Sequence, residues 1–473
     1  MKKTILRRRI NNYLFFSFLI IEGLLVQSCT LRKEKMPAIR TAEAYRGSLP
    51  DTASIARIPY QKFFEDTILC ELISEGMAHN VDLQVAINKL SRARIDGGVA
   101  KYAILPDVQL NADQTYNKYP RAAEENLSSR SQEAPWETFV SSTWEADVWG
   151  KLRSTARKAY LDVLRSEAGV QLVKTGLVAA IAEYYYTLQA LDEQLRITDQ
   201  RYQVRRDDVS TMKDLFKSNA VTAADIRQSE ANALEAEFLM IETKKQIWEI
   251  ENKLSLLLGR DGGKIGRSAW KDEAADSDYD NVGVPIDLLS NRPDVKQSLL
   301  ALEGTMELKH IARTQFLPQL KITADVGYTG DHIASLFNPT GFFVNLLGGL
   351  TQPLWSKGRN RARYQQAEID RQNALLEVQK ILKEAGNDVS NALYAKKIAR
   401  EKNEVCRQRM TSLKDAVAYT KELLTYSENN YINVLAAEQS FLEAQLSLVE
   451  AGLEVKKSSI SLYRSLGGGW SVH

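Results

Sequence analysis

The chain repeats itself at an offset of a little over two hundred residues, so any fold found for one half has to be built twice. Leu105-Pro106-Asp107-Val108-Gln109-Leu110-Asn111-Ala112-Asp113 recurs as Leu317-Pro318-Gln319-Leu320-Lys321-Ile322-Thr323-Ala324-Asp325, and Trp149-Gly150-Lys151-Leu152-Arg153 recurs as Trp355-Ser356-Lys357-Gly358-Arg359. Each half reads as a helix, two alternating segments and then two very long helices.

In the first half the alternating segments run over about 107–118 and 136–149. Val108, Leu110, Ala112 and Tyr116 share one face, and Gln109, Asn111, Asp113, Thr115 and Asn117 share the other. Trp136, Thr138, Val140, Trp144, Ala146 and Val148 then alternate with Glu137, Ser141, Thr143, Glu145 and Asp147. A period of two, apolar on one side and polar on the other, predicts strands. The second half predicts strands over about 318–330 and 342–354, the last weakened by Gly348-Gly349 and Pro353.

After each strand pair comes an unbroken helical pattern. Leu177, Ile181, Tyr184, Leu188, Leu191, Leu195, Thr198 and Tyr202 step by four and three, a heptad seam. No proline falls between Pro135 and Pro285, and a helix from Leu152 to Lys217 would be about 100 Å long at about 1.5 Å per residue. A break follows at Ser218–Thr222, where Thr222 with Asp225 predicts a helix N-cap, and a return helix runs to Leu258-Gly259-Arg260. The second hairpin, about 357–465, breaks near Tyr426–Asn430. Segments 30–65 and 260–284 lack either period and read as irregular connections. By themselves the helices fit a soluble coiled-coil rod equally well.

The strands suit a membrane barrel, where each needs about 9–11 residues, apolar toward lipid and polar toward the lumen. Tyr116, Tyr119, Trp136, Trp144, Trp149, Tyr328, Phe342, Phe343 and Trp355 lie in or beside them, as interfacial girdles do. Four strands cannot close such a pore, since barrels start at about eight, and an open edge in lipid leaves backbone groups unpaired. The barrel must then be shared between two or three chains. A soluble four-stranded sandwich covered by helices is the competing reading.

The N-terminus reads as an export signal. MKKTILRRR precedes an apolar run from Tyr13 to Val26 that contains Glu22 and falls short of the roughly 20 apolar residues of a membrane helix. Leu25-Val26-Gln27-Ser28-Cys29 resembles a bacterial lipobox, which makes Cys29 the acylated first residue of the mature chain. That lipid is the only attached group the sequence calls for. Thr30 follows Cys29 in place of an inner-membrane retention aspartate, so the outer membrane is expected. Cys70 and Cys406 then read as buried thiols rather than a disulfide. Residues 1–28 hold five cations against one acid, so removing them takes the formal charge from +2 to −2. Nothing there suggests nucleic-acid binding. The 4 His and 3 Cys are scattered without metal-ligand spacing, and no nucleophile or carboxylate pair suggests an envelope enzyme.

Val284-Pro285-Ile286-Asp287-Leu288-Leu289-Ser290-Asn291-Arg292-Pro293-Asp294-Val295 resembles the segment opening the second repeat in the TolC-like outer-membrane factor family, particularly its lipoprotein branch of RND-type efflux channels. Trp144-Glu145-Ala146-Asp147-Val148-Trp149-Gly150-Lys151-Leu152-Arg153 is similar to that family's second strand running into its first long helix, and Leu256-Leu257-Leu258-Gly259-Arg260 to the end of its first hairpin.

The resemblance implies a mixed α/β membrane protein: four transmembrane strands per chain in a twelve-stranded barrel shared by a homotrimer, continued by a periplasmic α-helical barrel. Residues 1–28 are then the signal peptide and 29–65 an extended equatorial segment. The repeats occupy 66–283 and 284–465, and 466–473 form a tail. The implied function is the exit channel of a tripartite efflux pump, working with a periplasmic adaptor and an inner-membrane transporter to export drugs, metals or other small molecules. A type I protein-secretion duct and a pore-free structural lipoprotein are the alternatives.

Arg292 and Asp294 are implied fold residues, and the helix reversals carry the gate and adaptor contact, here Asn219, Thr222, Asp225, Ser427, Glu428, Asn429, Tyr431 and Asn433. The family often has glycine where Asn219 and Ser427 stand, and several relatives have aspartates where Asn429, Asn433 and Ala436 stand. Glu428, Glu438 and Asp225 are near enough to replace those acids. Solvated turn residues without a gating role are the plainer reading.

Overall fold

The computed structural model describes residues 36–38, 55, 58–115, 136–218, 221–271, 291–330, 332–335, 338–424 and 431–470. The expected signal peptide, Cys29, Asn219, Ser427, Glu428 and Asn429 lie outside them. The elements are α1 (Tyr60–Phe63), α2 (Thr67–His79), α3 (Val81–Tyr102), β1 (Asp107–Gln114), β2 (Trp136–Ala146), α4 (Lys151–Lys217), α5 (Ala223–Leu258), α6 (Pro293–Thr314), β3 (Gln319–Gly330), β4 (Phe342–Thr351), α7 (Arg359–Leu424) and α8 (Tyr431–Ser465). Among the described residues no helix is long and apolar enough to cross a membrane. By contacts the chain divides into two units, one holding residues 91–164 and 299–377 and the other 39–90, 165–298 and 378–473.

The first unit holds one four-stranded antiparallel sheet in the order β1-β2-β3-β4. β2 and β3, which come from different repeats, pair along eleven residues from Trp136↔Gly330 to Ala146↔Leu320. β2 ends at Ala146, short of the expected residue 149, because Asp147 turns away to start α4. Its carboxylate accepts from the Leu152 and Arg153 backbone N–H groups at 2.9 and 3.0 Å, and Gly150 completes the turn at φ +76°. β1 stops at Gln114, before the expected 118, and β4 stops at Thr351, two residues before Pro353 removes a donor. Gly348 and Gly349 do not prevent β4 from forming.

The second unit is built around the middle of α4. Leu177, Ile181, Leu188, Leu191 and Thr198 are buried, as the heptad seam predicts, while Tyr184, Leu195 and Tyr202 are half-buried. Val178, Ala182, Tyr185, Ala190 and Ile197 are buried as well, so the helix is covered over more than a seam. The cover comes from α1, α2, α5, α8 and the segment through Ile265, whose apolar side chains join one core. Such burial contributes roughly 1.5–3 kcal/mol per large side chain.

The segment expected to be irregular before residue 66 contains α1, held by Phe63 stacked on Tyr463 at 4.2 Å and by the Tyr463 hydroxyl donating to the Ile58 carbonyl. Where one helix was expected from residue 66 to the first strand, two stand among the described residues, α2 and α3. Asn80 divides them: its carboxamide accepts from Leu83 N–H and donates to the Leu257 carbonyl, both at 2.9 Å. Cys70 and Cys406 are free thiols, half-buried rather than buried.

Candidate functional site

The sheet register sorts side chains into two chemically distinct faces. Leu110, Val140, Val326 and Val344 lie in one cross-strand row, one residue per strand, and all four are exposed. Val108, Ser142, Ala324 and Leu346 form a parallel row on the same face. Gln109, Ser141, Asp325 and Asn345 form a row on the opposite face. There the Ser141 hydroxyl donates to Asp325 at 2.6 Å, and the Asn345 amide donates to its other oxygen at 3.4 Å. A sheet with one aliphatic and one hydrogen-bonding face is suited to separate lipid from water.

The polar face is interrupted. Phe139 and Phe343 flank Gly327 on it, their ring centroids 6.1 Å apart. A β-carbon at Gly327 would stand 2.2 Å from the Thr138 carbonyl oxygen and 2.4 Å from Phe139 Cβ, so only glycine fits between them. Phe139 stands on the polar face beside Glu137 and Ser141 and breaks the alternation there.

At the first helix reversal Thr222 caps α5 as expected, in a capping box with Asp225: the Asp225 N–H donates to the Thr222 hydroxyl, and the Thr222 N–H and hydroxyl donate to the Asp225 carboxylate at 2.8 and 2.7 Å. These bonds hold the Asp225 carboxyl below its ordinary range. At the second reversal the expected break near Tyr426–Asn430 lies outside the described residues. α8 starts at Tyr431, so Tyr431 and Asn433 lie in its first turn, with Asn433 exposed.

Glu438, expected as a replacement acid at the constriction, is instead buried and fully committed. Its carboxylate pairs with Arg201 at 3.5 Å, Arg205 at 3.2 Å and Lys421 at 2.9 Å, and Arg201 also donates to its carbonyl. Arg205 pairs in addition with Asp208 at 3.4 Å. Burial, with the Glu438 charge adding to it, pushes the Asp208 carboxyl up, and burial pulls the Arg201 guanidinium down. Three helices, α4, α7 and α8, meet in this cluster. Sequence reading missed it because the partners lie in different repeats; the nearest signal was the i, i+4 spacing of Arg201 and Arg205 in an otherwise apolar seam.

Further along the second unit, the segment after α5 is pinned by charge. Arg267 pairs with Asp192 and with Glu251, the latter at 2.6 Å, and Asp66 accepts from the Tyr185 and Ser268 hydroxyls and the Gln189 amide. Burial opposes ionisation of Asp66, but those hydroxyls and the Leu69 and Ile68 N–H groups together hold its carboxyl below the ordinary value. Arg292 spans the start of α6, donating to Asp294 at 2.7 Å, to Asp388 at 3.2 Å and to the Ser465 carbonyl at 2.9 Å. Arg292 and Asp294 are therefore fold residues. Among the described residues no cluster of His, Cys, Asp and Glu could hold a metal ion.

The comparisons with known proteins agree with this arrangement. The model of the outer membrane efflux protein family matches residues 72–260 and 284–468. The cation efflux system protein CusC of Escherichia coli O6:H1 is 24% identical over 421 residues, 87% of this chain and 88% of that protein. The probable efflux pump outer membrane protein TtgC of Pseudomonas putida is 23% identical over 432 residues, covering 90% and 88%. Among solved structures, the Campylobacter jejuni CmeC outer membrane channel superposes with a TM-score of 0.85 at 22% identity, over 93% of this chain and 94% of that one. A membrane protein from Pseudomonas aeruginosa gives 0.85 at 21%, over 92% and 99%. The family match runs through both repeats, and the chain belongs to the outer membrane efflux protein family.

Proposed function

We propose that this outer-membrane efflux channel works as a homotrimeric exit duct, anchored by a lipid on Cys29. In this reading it is the outer component of a tripartite pump, receiving small molecules from an inner-membrane transporter through a periplasmic adaptor. The observation that carries the reading is the pair of open sheet edges. β1 and β4 are the outer strands of the sheet and run in opposite directions, so β4 of one chain can continue the antiparallel order into β1 of the next. Three chains then give twelve strands and no free edge, which a bilayer requires.

Exposed apolar stripes support the same assembly. Leu234, Phe238, Ile241 and Trp248 on α5, and Tyr394, Ile398 and Val405 on α7, are large apolar residues left exposed on single helices at near-heptad spacing. Neighbouring chains would cover them in a helical tunnel. The reversals bearing Asn219, Thr222, Asp225, Ser427, Glu428, Asn429, Tyr431 and Asn433 would then form its closed end and meet the adaptor. The test is the mass of the purified full-length protein in detergent, corrected for bound detergent, together with single-channel recording in planar bilayers. A trimer that conducts is expected; a monodisperse monomer with strong β signal would overturn the shared barrel.

A further inference from the structure

The two strand-to-helix junctions of the repeat are chemically unlike. At the first, between β2 and α4, the cations are neutralised within the chain: Lys151 pairs with Glu145 at 2.9 Å, Arg153 with Asp147 at 3.0 Å, Arg157 with Glu307 at 3.3 Å and Lys158 with Asp162 at 2.6 Å. The Trp149 indole there is also engaged, donating to the Pro318 carbonyl at 2.6 Å.

At the second junction, between β4 and α7, none of this holds. No Asp or Glu occurs between Asp331 and Glu368, while Lys357, Arg359, Arg361 and Arg363 all fall in that interval and are exposed. None of the four is ion-paired among the described residues. Arg359 donates to the Ser356 carbonyl and Arg363 to the Gln315 side chain, both neutral. Immediately before them stand Leu354 and Trp355, at 92% and 82% the most exposed large apolar side chains among the described residues. Lys357 also holds φ +54°, the one non-glycine left-handed backbone described, so its place in the turn is kept at a conformational cost.

We propose that this junction is a docking surface for anionic glycerophospholipid headgroups, in the leaflet that meets the helix-side end of the sheet. The inference rests on the reading of the strands as membrane-spanning. A bare Leu-Trp pair three residues beyond the end of a strand sits where the hydrocarbon gives way to headgroups, and an indole is at home there. Four uncompensated cations next to it face the phosphate layer, and guanidinium forks match phosphate oxygens in pairs. Each cation near an anionic bilayer is worth roughly five-fold in partitioning, whereas the first junction, with its charges already spent on its own acids, has little to offer. The two repeats thus divide the work, one junction locking the strand to its helix and the other gripping lipid.

The experiment uses the delipidated full-length protein and native mass spectrometry, titrating phosphatidylglycerol against phosphatidylethanolamine of the same acyl chains. The wild type is expected to hold phosphatidylglycerol at least about ten-fold more tightly, and the variant K357N/R359Q/R361Q/R363Q to lose that preference. The milder K357N/R361Q, whose two native side chains have no partner among the described residues, guards against misfolding and should lose several-fold. R153Q at the first junction should keep the wild-type preference. Equal phosphatidylglycerol preference in wild type and both variants would overturn the inference, as would lipopolysaccharide displacing phosphatidylglycerol from the wild type at equal concentration. Single-channel recording of the wild type in neutral bilayers separates two failures: no conductance removes the membrane-spanning reading and this inference with it, while conductance without lipid preference removes this inference alone.

Discussion

Arg205 on α4 and Glu438 on α8 lie 3.2 Å apart with each side chain only 4% exposed, so a charge pair crosses from the first helical hairpin to the second inside the protein. With Arg201 and Lys421 on the same carboxylate, Glu438 is shared by three cations.

Replacing it with the neutral amide, Glu438→Gln, removes the counter-charge of half-buried Arg201 and leaves buried Arg205 with Asp208 alone. Breaking a buried pair from one side costs about 3–5 kcal/mol. The variant is expected to melt at lower temperature and to show larger resting conductance in bilayers. An unchanged melting temperature would mean that solvent already screens the cluster.

Asp66 gives a prediction with a pH sign. Its folded carboxyl titrates below the ordinary value of 3.8, so its contribution is complete above that value and is lost as pH falls through the lower folded one. Asp66→Asn should therefore destabilise the protein at neutral pH by about 1–3 kcal/mol, the cost of poorly satisfied buried groups. The gap between the two melting temperatures should narrow below about pH 4. A gap that stays constant down to pH 2 would reject the ionised Asp66 as its source.

Gly259 closes α5 at φ +72°, and a β-carbon there would stand 2.2 Å from the His79 carbonyl oxygen. Gly259→Ala combines a left-handed alanine, about 1–2 kcal/mol, with that clash. Denaturant unfolding should register a loss larger than the conformational term alone.

Tyr431 and Asn433, in the first turn of α8, are expected to contribute weak contacts at the closed end, each about 0.5–1.5 kcal/mol. The double variant Tyr431→Ala, Asn433→Ala should raise resting conductance and the leak of large antibiotics while the oligomer keeps its stability. Wild-type conductance in that variant would place the constriction elsewhere.

Cys29→Ala should yield a protein without bound lipid whose processing differs from the wild type. Mass spectrometry of the mature chain decides it, because an unchanged mass would rule out acylation at Cys29.

Strands and long helices were legible in the sequence because each is a repeated local pattern. Val108-Gln109-Leu110 alternates, and Leu177-Ile181-Leu188 recurs on one helical face, whatever the rest of the chain does. Strand ends were not legible where a strand residue had a second role. Asp147 fits the polar alternation of β2 and yet caps α4, and only the hydrogen bonds to Leu152 and Arg153 separate the two readings. The buried links were hidden for a different reason. Glu438 looks like an exposed acid near a turn until α4 brings Arg201 and Arg205 to it, and Phe139 looks like an error in a period until Phe343 and Gly327 arrive beside it. Pairings between repeats are long-range facts that no window of sequence contains.

The pairing of β2 with β3 inside one chain has a consequence for assembly. In the proposed shared barrel, the two repeats, already paired along eleven residues, would enter as one sector of sheet whose free edges are β4 and β1. Such edges join head to tail, so every added subunit satisfies one edge and brings another, and the number of bare edges falls to zero only at closure. In lipid, a partial ring is penalised as heavily at two subunits as at one. Insertion should therefore proceed in a single cooperative step, with partial assemblies surviving only outside the bilayer.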